Sequence, residues 1–446
     1  MLGTRCRIAD PQHLAIFRGM LTVALFTLLG KLMSAVKEMV VAYRYGLSAE
    51  VDAYQFVYNL VSWPLGIWAS VLTAVLVPLV ARMRVSDPQA IPRFRAELAG
   101  FTLMLGMALA LLGGLGIGAM LRFDRSGLPA HSAQLAATAL PGMLMMLPLG
   151  LLVALLSAWL LAAQRHVGTL LECVPTLLIA AAVLTFTSGG IGPLVWGTLA
   201  GCVVHLLTLL VPVTVRHELA APVFTRNSAH WQWFWQGFGI MLAGQAFMSF
   251  TVIIDQFYAV GLGTGALAML GYANRLLSLI LGLAAIAVSR ATLPVFSQAG
   301  ADATGDVYRV AVSWARLMFA GGVVVMLLSY LSAPWAIRVL FERGQFDATD
   351  TARVTEVLRY GLPQLPFYFS AMVLVSYALS QRRHGLIFWS GVIGCGGKVI
   401  GNLLLVPRFG VNGIALAAMV VYGLNASFFW LVLRRRPSLQ CPAPCA

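Results

Sequence analysis

Apolar residues in this chain come in runs of about twenty, separated by short clusters of Gly, Pro and charged residues. A soluble helix shows only a stripe of apolar positions on one face, whereas a run of ~20 has the length of a membrane-spanning helix. The ~10-residue alternating strands of an outer-membrane barrel would look different. Setting the runs against their breakers predicts twelve spans, at about 14–36, 54–81, 98–121, 134–163, 167–187, 191–214, 234–260, 267–297, 310–333, 355–380, 386–406 and 411–433. The connections are too short for a soluble domain. Met1 to Gln12 is polar, and the run after it is too long for a signal peptide and lacks a small-residue cleavage site, so it is read as the first span. The predicted fold class is an all-α integral membrane protein of about twelve transmembrane helices.

The pattern also repeats. GLSAEVDAYQFVYNLVSWPLG leading to LVPLVAR in the first half resembles GLGTGALAMLGYANRLLSLILG leading to TLPVFSQ in the second. Gly46 aligns with Gly261, Pro78 with Pro294, LAAQRH ending at His166 with ALSQRRH ending at His384, and Gly192-Pro193 with Asn412-Gly413. The two members of each pair are separated by nearly the same stretch of chain, a little under half its length. Two six-helix lobes follow, 1–215 and 236–446, joined by the polar linker 216–235. Six spans per repeat is an even number, so both lobes enter the membrane from the same side. Parallel transporter repeats of this kind are related by an axis along the membrane normal, with a substrate site between the lobes.

Composition sharpens this reading. Of 446 residues, 60% are hydrophobic and 10% charged, against about 25% charged in soluble domains, and mean hydropathy is +0.85. The net charge of +14 comes from basic residues scattered singly between spans, which argues against nucleic acid as a partner. With both termini in the cytoplasm, sixteen Lys/Arg fall on that side, eight on the other and six within spans or at their ends; the positive-inside rule therefore favours N-in, C-in. The six cysteines (Cys6, Cys173, Cys202, Cys395, Cys441 and Cys445) show no metal-ligand spacing, and three lie within spans, so free thiols are expected.

Charge inside the spans is the candidate chemistry, because an ionisable residue there usually faces a polar cavity. Lys31, Ser34 and Glu38 are spaced i, i+3, i+7 and share one helical face. Lys31 and Glu38 stand about 10 Å apart along that face, so an anionic ligand or a cation could lie along the stripe. The plainer alternative is that Lys37 and Glu38 mark the end of the span, with Lys37 snorkelling to the interface. Arg275, beside Asn274, lies several residues into the eighth span; its guanidinium suits bidentate phosphate contact, and an interfacial arginine is the alternative. Asp255, deep in TVIIDQFYAV, is either a proton or sodium site or a hydrogen-bonded packing residue. Asp52 after the Gly46 turn reads as a helix N-cap. Prolines 64, 78, 141, 148, 294, 363 and 366 are candidate kinks. No hydrolytic or redox constellation, P-loop or carboxylate pair at metal spacing is present, so no cofactor is expected. Sodium, protons or the membrane potential would supply the energy.

Four stretches carry a family resemblance: GKLMSAVKEMVVAYRYGLSAEVDAY, YANRLLSLILG with TLPVFSQ, LFERGQFDATDT, and GNLLLVPRFGVNGIALA. In these the chain resembles the MviN/MurJ family of lipid II flippases, within the wider superfamily of multidrug and oligosaccharidyl-lipid exporters. The resemblance implies a two-lobed, alternating-access transporter that flips an undecaprenyl-pyrophosphate-linked sugar across the bacterial inner membrane, with cationic residues holding the pyrophosphate. By motif, Lys31 and Lys37 occupy positions usually held by Arg, Glu38 an acidic position, Asp52 a shared Asp and Arg275 a shared Arg. Lysine keeps the charge but loses the planar fork. The chain departs from the family at Leu65, where an arginine is usual, at Ser278, where an acidic residue is usual, and in ASVLTAV after the second span. The family's two extra C-terminal helices have no counterpart here. The expected partners are a lipid-linked glycan and membrane lipids, with the protein a monomer that can associate with glycan-synthesis enzymes.

Three functions follow for test: flipping of lipid II or of a related exopolysaccharide or O-antigen unit, cation-coupled export of small drugs, and a non-transporting scaffold. Drug export predicts that Asp255 and Glu38 dominate, although the lysines and arginine disfavour cationic cargo. A scaffold predicts that the charges within spans tolerate leucine.

Overall fold

The computed structural model describes residues 11–434, apart from 164, 166–167, 169–170, 187–189, 217–219, 300–306 and 382. Its regular secondary structure is helical throughout the described residues. The chain divides into two compact units between Leu242 and Ala243.

The first unit holds α1 (Pro11–Tyr45), α2 (Ala49–Ser86), a 3-10 turn (Pro88–Ala90), α3 (Ile91–Arg122), α4 (Ala130–Leu144), α5 (Met146–Ala162), α6 (Cys173–Thr185) and α7 (Gly192–Thr214), and takes in the start of α8 (Trp231–Val260). The second holds the rest of α8, α9 (Ala266–Ala299), α10 (Val307–Phe341), α11 (Ala348–Gly361), α12 (Gln364–Ser380), α13 (His384–Phe409) and α14 (Val411–Arg434). Among the described residues, six helices are long and apolar enough to cross a membrane, or eight spans if the bent pairs α4–α5 and α11–α12 each count as one. With each bent pair counted once, every one of the twelve sequence-predicted spans coincides with a helical segment among the described residues. Exposed leucines such as Leu111, Leu112, Leu115, Leu328, Leu403 and Leu404 suit contact with lipid, since hydrocarbon leaves no reason to hide them.

The two units are built alike. In each, the second helix packs on both halves of the bent segment, the third does the same, and the last packs on the fifth and on the bent segment. The bends have one cause. Proline lacks the N–H that would bond to the carbonyl four residues earlier. Pro148 thus frees Leu144, where α4 and α5 meet at 44°, and Pro366 frees Leu362, where α11 and α12 meet at 41°. A glycine of the third helix lies against each proline: a Cβ on Gly106 would stand 2.5 Å from Pro148 Cα, and one on Gly322 2.6 Å from Pro366 Cα. Pro64 and Pro78 lie inside α2 without breaking it. That helix packs on both α4 and α5, and neighbours of this kind compensate for a lost backbone bond. The side chain of Pro294, the residue His166 and the cysteines Cys6, Cys441 and Cys445 lie outside the described residues; Cys173, Cys202 and Cys395 are free thiols.

Two sequence readings change. The N-cap of α2 is Ser48, in extended backbone, and Asp52 sits one turn inside the helix, with its N–H donating to Ser48 O at 3.2 Å. Asp52 is buried there; together with Glu50 it places negative charge in the first turn, where the helix dipole favours it. The repeat anchor shifts as well. Gly46 closes α1 with φ 54°, and the left-handed glycines after α8 are Gly263 (φ 105°) and Gly265 (φ 83°), not Gly261. By backbone conformation, the counterpart of Gly46 is therefore one of these two glycines.

Candidate functional site

In the first unit the charged stripe of α1 divides. Lys37 and Glu38 are both buried and form an ion pair at 2.8 Å. Adjacent helical positions diverge by about 100°, so the flexible lysine stem must curl round the helix to reach the carboxylate. Lys37 is therefore turned inward and charge-compensated rather than snorkelling to an interface. Lys31 and Ser34, one to two turns earlier, are half-buried.

In the second unit Asn274 and Arg275 are exposed on α9. Ser278, one turn on, donates its hydroxyl to Arg275 O at 2.8 Å, within its own helix.

Asp255 on α8 is the centre of a cluster that sequence reasoning did not assemble. Lys398 Nζ lies 3.0 Å from Asp255 Oδ2 and donates to Ile414 O at 3.1 Å. Asn402 Nδ2 donates to Asp255 Oδ1 at 3.0 Å. Lys398 and Asn402 are i, i+4 on α13 and so share one face; Lys398 is 4% exposed and Asn402 fully buried. The signal was present in the sequence as an ionisable residue in the middle of an apolar span, which calls for a partner. That partner, Asp255, lies five helices earlier in the chain and shows only in the fold. α8 is brought to α13 by Phe247 against Phe388, at 5.9 Å between ring centroids, and by Met248 against Gly391.

The Lys398 ammonium lies against this carboxylate, and a second unit charge 4 Å from an ammonium meets about 4 kcal/mol of repulsion at an effective dielectric constant of 20.

A further buried carboxylate lies where the 221–230 segment crosses α3. Glu97, 1% exposed, accepts from Trp231 Nε1 at 2.7 Å, Ser228 N at 3.2 Å, Asn227 N at 3.3 Å and Arg93 Nε at 3.2 Å. Val223 N donates to Ala96 O at 3.0 Å. Arg226 lies over Phe101 at 4.5 Å and Trp231 at 5.7 Å.

Two six-segment helical units, with ionised groups held inside their apolar spans, define the class: a multi-pass membrane transporter. The chain matches the family described as lipid II flippase MurJ over residues 41–443. It belongs to that family. It is 26% identical over 460 residues to the lipid II flippase MurJ of Burkholderia cenocepacia, covering 96% of this chain and 86% of that protein. The match to the probable lipid II flippase MurJ of Vibrio cholerae is also 26% identical, over 45% of this chain and 40% of that protein. A solved structure of a lipid II flippase MurJ in an inward closed conformation shares the fold, with a TM-score of 0.80 at 17% identity, over 94% of this chain and 88% of that one.

Proposed function

We propose that the protein flips a polyprenyl-pyrophosphate-linked glycan, lipid II or a close relative, across the bacterial inner membrane by alternating access. Family membership over residues 41–443 is the observation that carries this reading. Lys31, half-buried in the first unit, and Arg275, exposed in the second, are each assigned to pyrophosphate contact. Ser34 and Asn274 add hydrogen bonds beside them. Glu38 and Asp52 act in gating, through the ends of α1 and α2. Energy comes from the membrane potential or an ion gradient, and no cofactor is required. The protein works as a monomer among membrane lipids, with both termini cytoplasmic, and can dock glycan-synthesis enzymes.

The test is flipping by protein reconstituted into vesicles. Lys31→Gln and Arg275→Gln should each abolish flipping while leaving helical content unchanged. Normal flipping by both variants would remove these residues from the site. Complementation of a strain depleted of its own lipid II flippase then separates lipid II from another glycan. The second glycan has support of its own at Leu65, an apolar side chain packed towards Gly150, and at Ser278, whose hydroxyl is spent on its own helix. Neither offers the charge usual in lipid II flippases.

A further inference from the structure

We propose that Lys398 is a built-in cation, filling an oxygen-lined site in the second unit that would otherwise accept a sodium ion. The inference joins three observations. First, the Lys398 ammonium bridges a carboxylate oxygen, Asp255 Oδ2 at 3.0 Å, and a main-chain carbonyl, Ile414 O at 3.1 Å. These are the hard oxygen ligands that a small cation takes. Second, Asn402 adds to the set. Its Nδ2 fixes the orientation of Asp255, while its buried Oδ1 accepts no hydrogen bond among the described residues. Third, the arrangement has a counterpart in the first unit. Glu38 lies near the C-terminal end of α1, as Asp255 lies near that of α8. Glu38 too is neutralised by a lysine, Lys37 at 2.8 Å. Each unit thus pairs a carboxylate inside a span with a lysine of its own.

Removing the ammonium would leave one negative charge and a lysine-sized space bordered by Asp255 Oδ2 from α8 and Ile414 O from α14. A sodium ion restores neutrality there, and the ammonium and the ion compete for one place. In the intact protein sodium is therefore neither bound nor used at Asp255. This last step rests on the transport reading above.

The experiment compares thermal unfolding of the full-length protein, purified in detergent with lipid, in sodium and choline chloride at matched ionic strength. The wild-type midpoint should be the same in both salts. Lys398→Ala should unfold several degrees lower in choline and regain most of that loss, saturably, in sodium. Lys398→Ala combined with Asp255→Asn should not respond to sodium. If Lys398→Ala can be purified in sodium alone, that counts in favour; if in neither salt, Lys398→Gln takes its place in the same comparison. A sodium-dependent rise in the wild-type midpoint would overturn the proposal, as would a Lys398 variant with equal midpoints in the two salts. Because the readout is stability, loss of the flippase reading would leave the site standing. In active vesicles, a flipping rate unchanged by a sodium gradient extends the proposal to transport, and a sodium-driven rate through Asp255 overturns it.

Discussion

Glu97 satisfies four donors from a side chain that is almost wholly buried. Two are backbone N–H groups of the segment leading into α8, so the carboxylate takes the place of secondary structure where the chain has none. Hydrogen bonds to a charged acceptor are each worth about 1.5–3 kcal/mol, and donors left buried without a partner add their desolvation penalty. Glu97→Ala should lower stability by about 2–4 kcal/mol in total, seen as an earlier thermal transition and a red shift of Trp231 emission. Glu97→Gln, which keeps an acceptor but loses the charge, should fall between. A wild-type transition in Glu97→Ala would show that this contact does not hold the segment. Nothing in the local sequence singles out Glu97, which lies just before the third predicted span. Its donors at 227, 228 and 231 come from the predicted linker, and no periodicity links positions so far apart. Lys398 is the same case: the charge in the span was legible, its partner was not. Lys37 and Glu38 were legible as a charged pair, but burial decides between an inward pair and a snorkelling lysine, and burial depends on the whole unit.

The bent fourth segment of each unit is where local rules carried furthest. Proline removes a definable backbone bond, and the breaks fall at the two carbonyls, Leu144 and Leu362, that Pro148 and Pro366 leave without a donor. What the sequence did not mark was the glycine facing each bend. Backbone approaches proline ring at Gly106 and Gly322, at distances that a Cβ could not share. Gly106→Val and Gly322→Val should therefore push the third helix off the bent pair. Overpacking of this kind costs about 1–3 kcal/mol, so each variant should unfold earlier than wild type. Gly116→Ala, on the same helix as Gly106 but with nothing within 4 Å of the added Cβ, should be neutral or slightly stabilising, because alanine favours helix over glycine. Equal transitions for Gly106→Val and Gly116→Ala would mean that the α3 approach to Pro148 is not tight.

At the scale of the whole molecule, the arrangement in the membrane follows from parity and charge. Six spans in each unit would return the chain to the side it started from. The twofold excess of Lys/Arg in one set of connections then predicts which side that should be. Arg82 and Arg84 at the end of α2 and Arg93 and Arg95 at the start of α3 flank the first connection, whereas Arg122 at the end of α3 and Arg125 flank the second. The first should be cytoplasmic and the second periplasmic. Ser86 and Arg125 are both exposed, which makes each a usable reporter. In a background with all six native cysteines replaced, Arg125→Cys should react with a membrane-impermeant maleimide in intact spheroplasts. Ser86→Cys should react only after the membrane is opened. The reverse pattern would invert the topology and place the Lys37–Glu38 end of α1 in the cytoplasm. Labelling of both before opening would mean that α3 does not span. That second outcome would be the more damaging, because α3 supplies the glycine against Pro148 and the carboxylate that holds the 221–230 segment, and both roles presuppose a helix that runs the full depth of its unit.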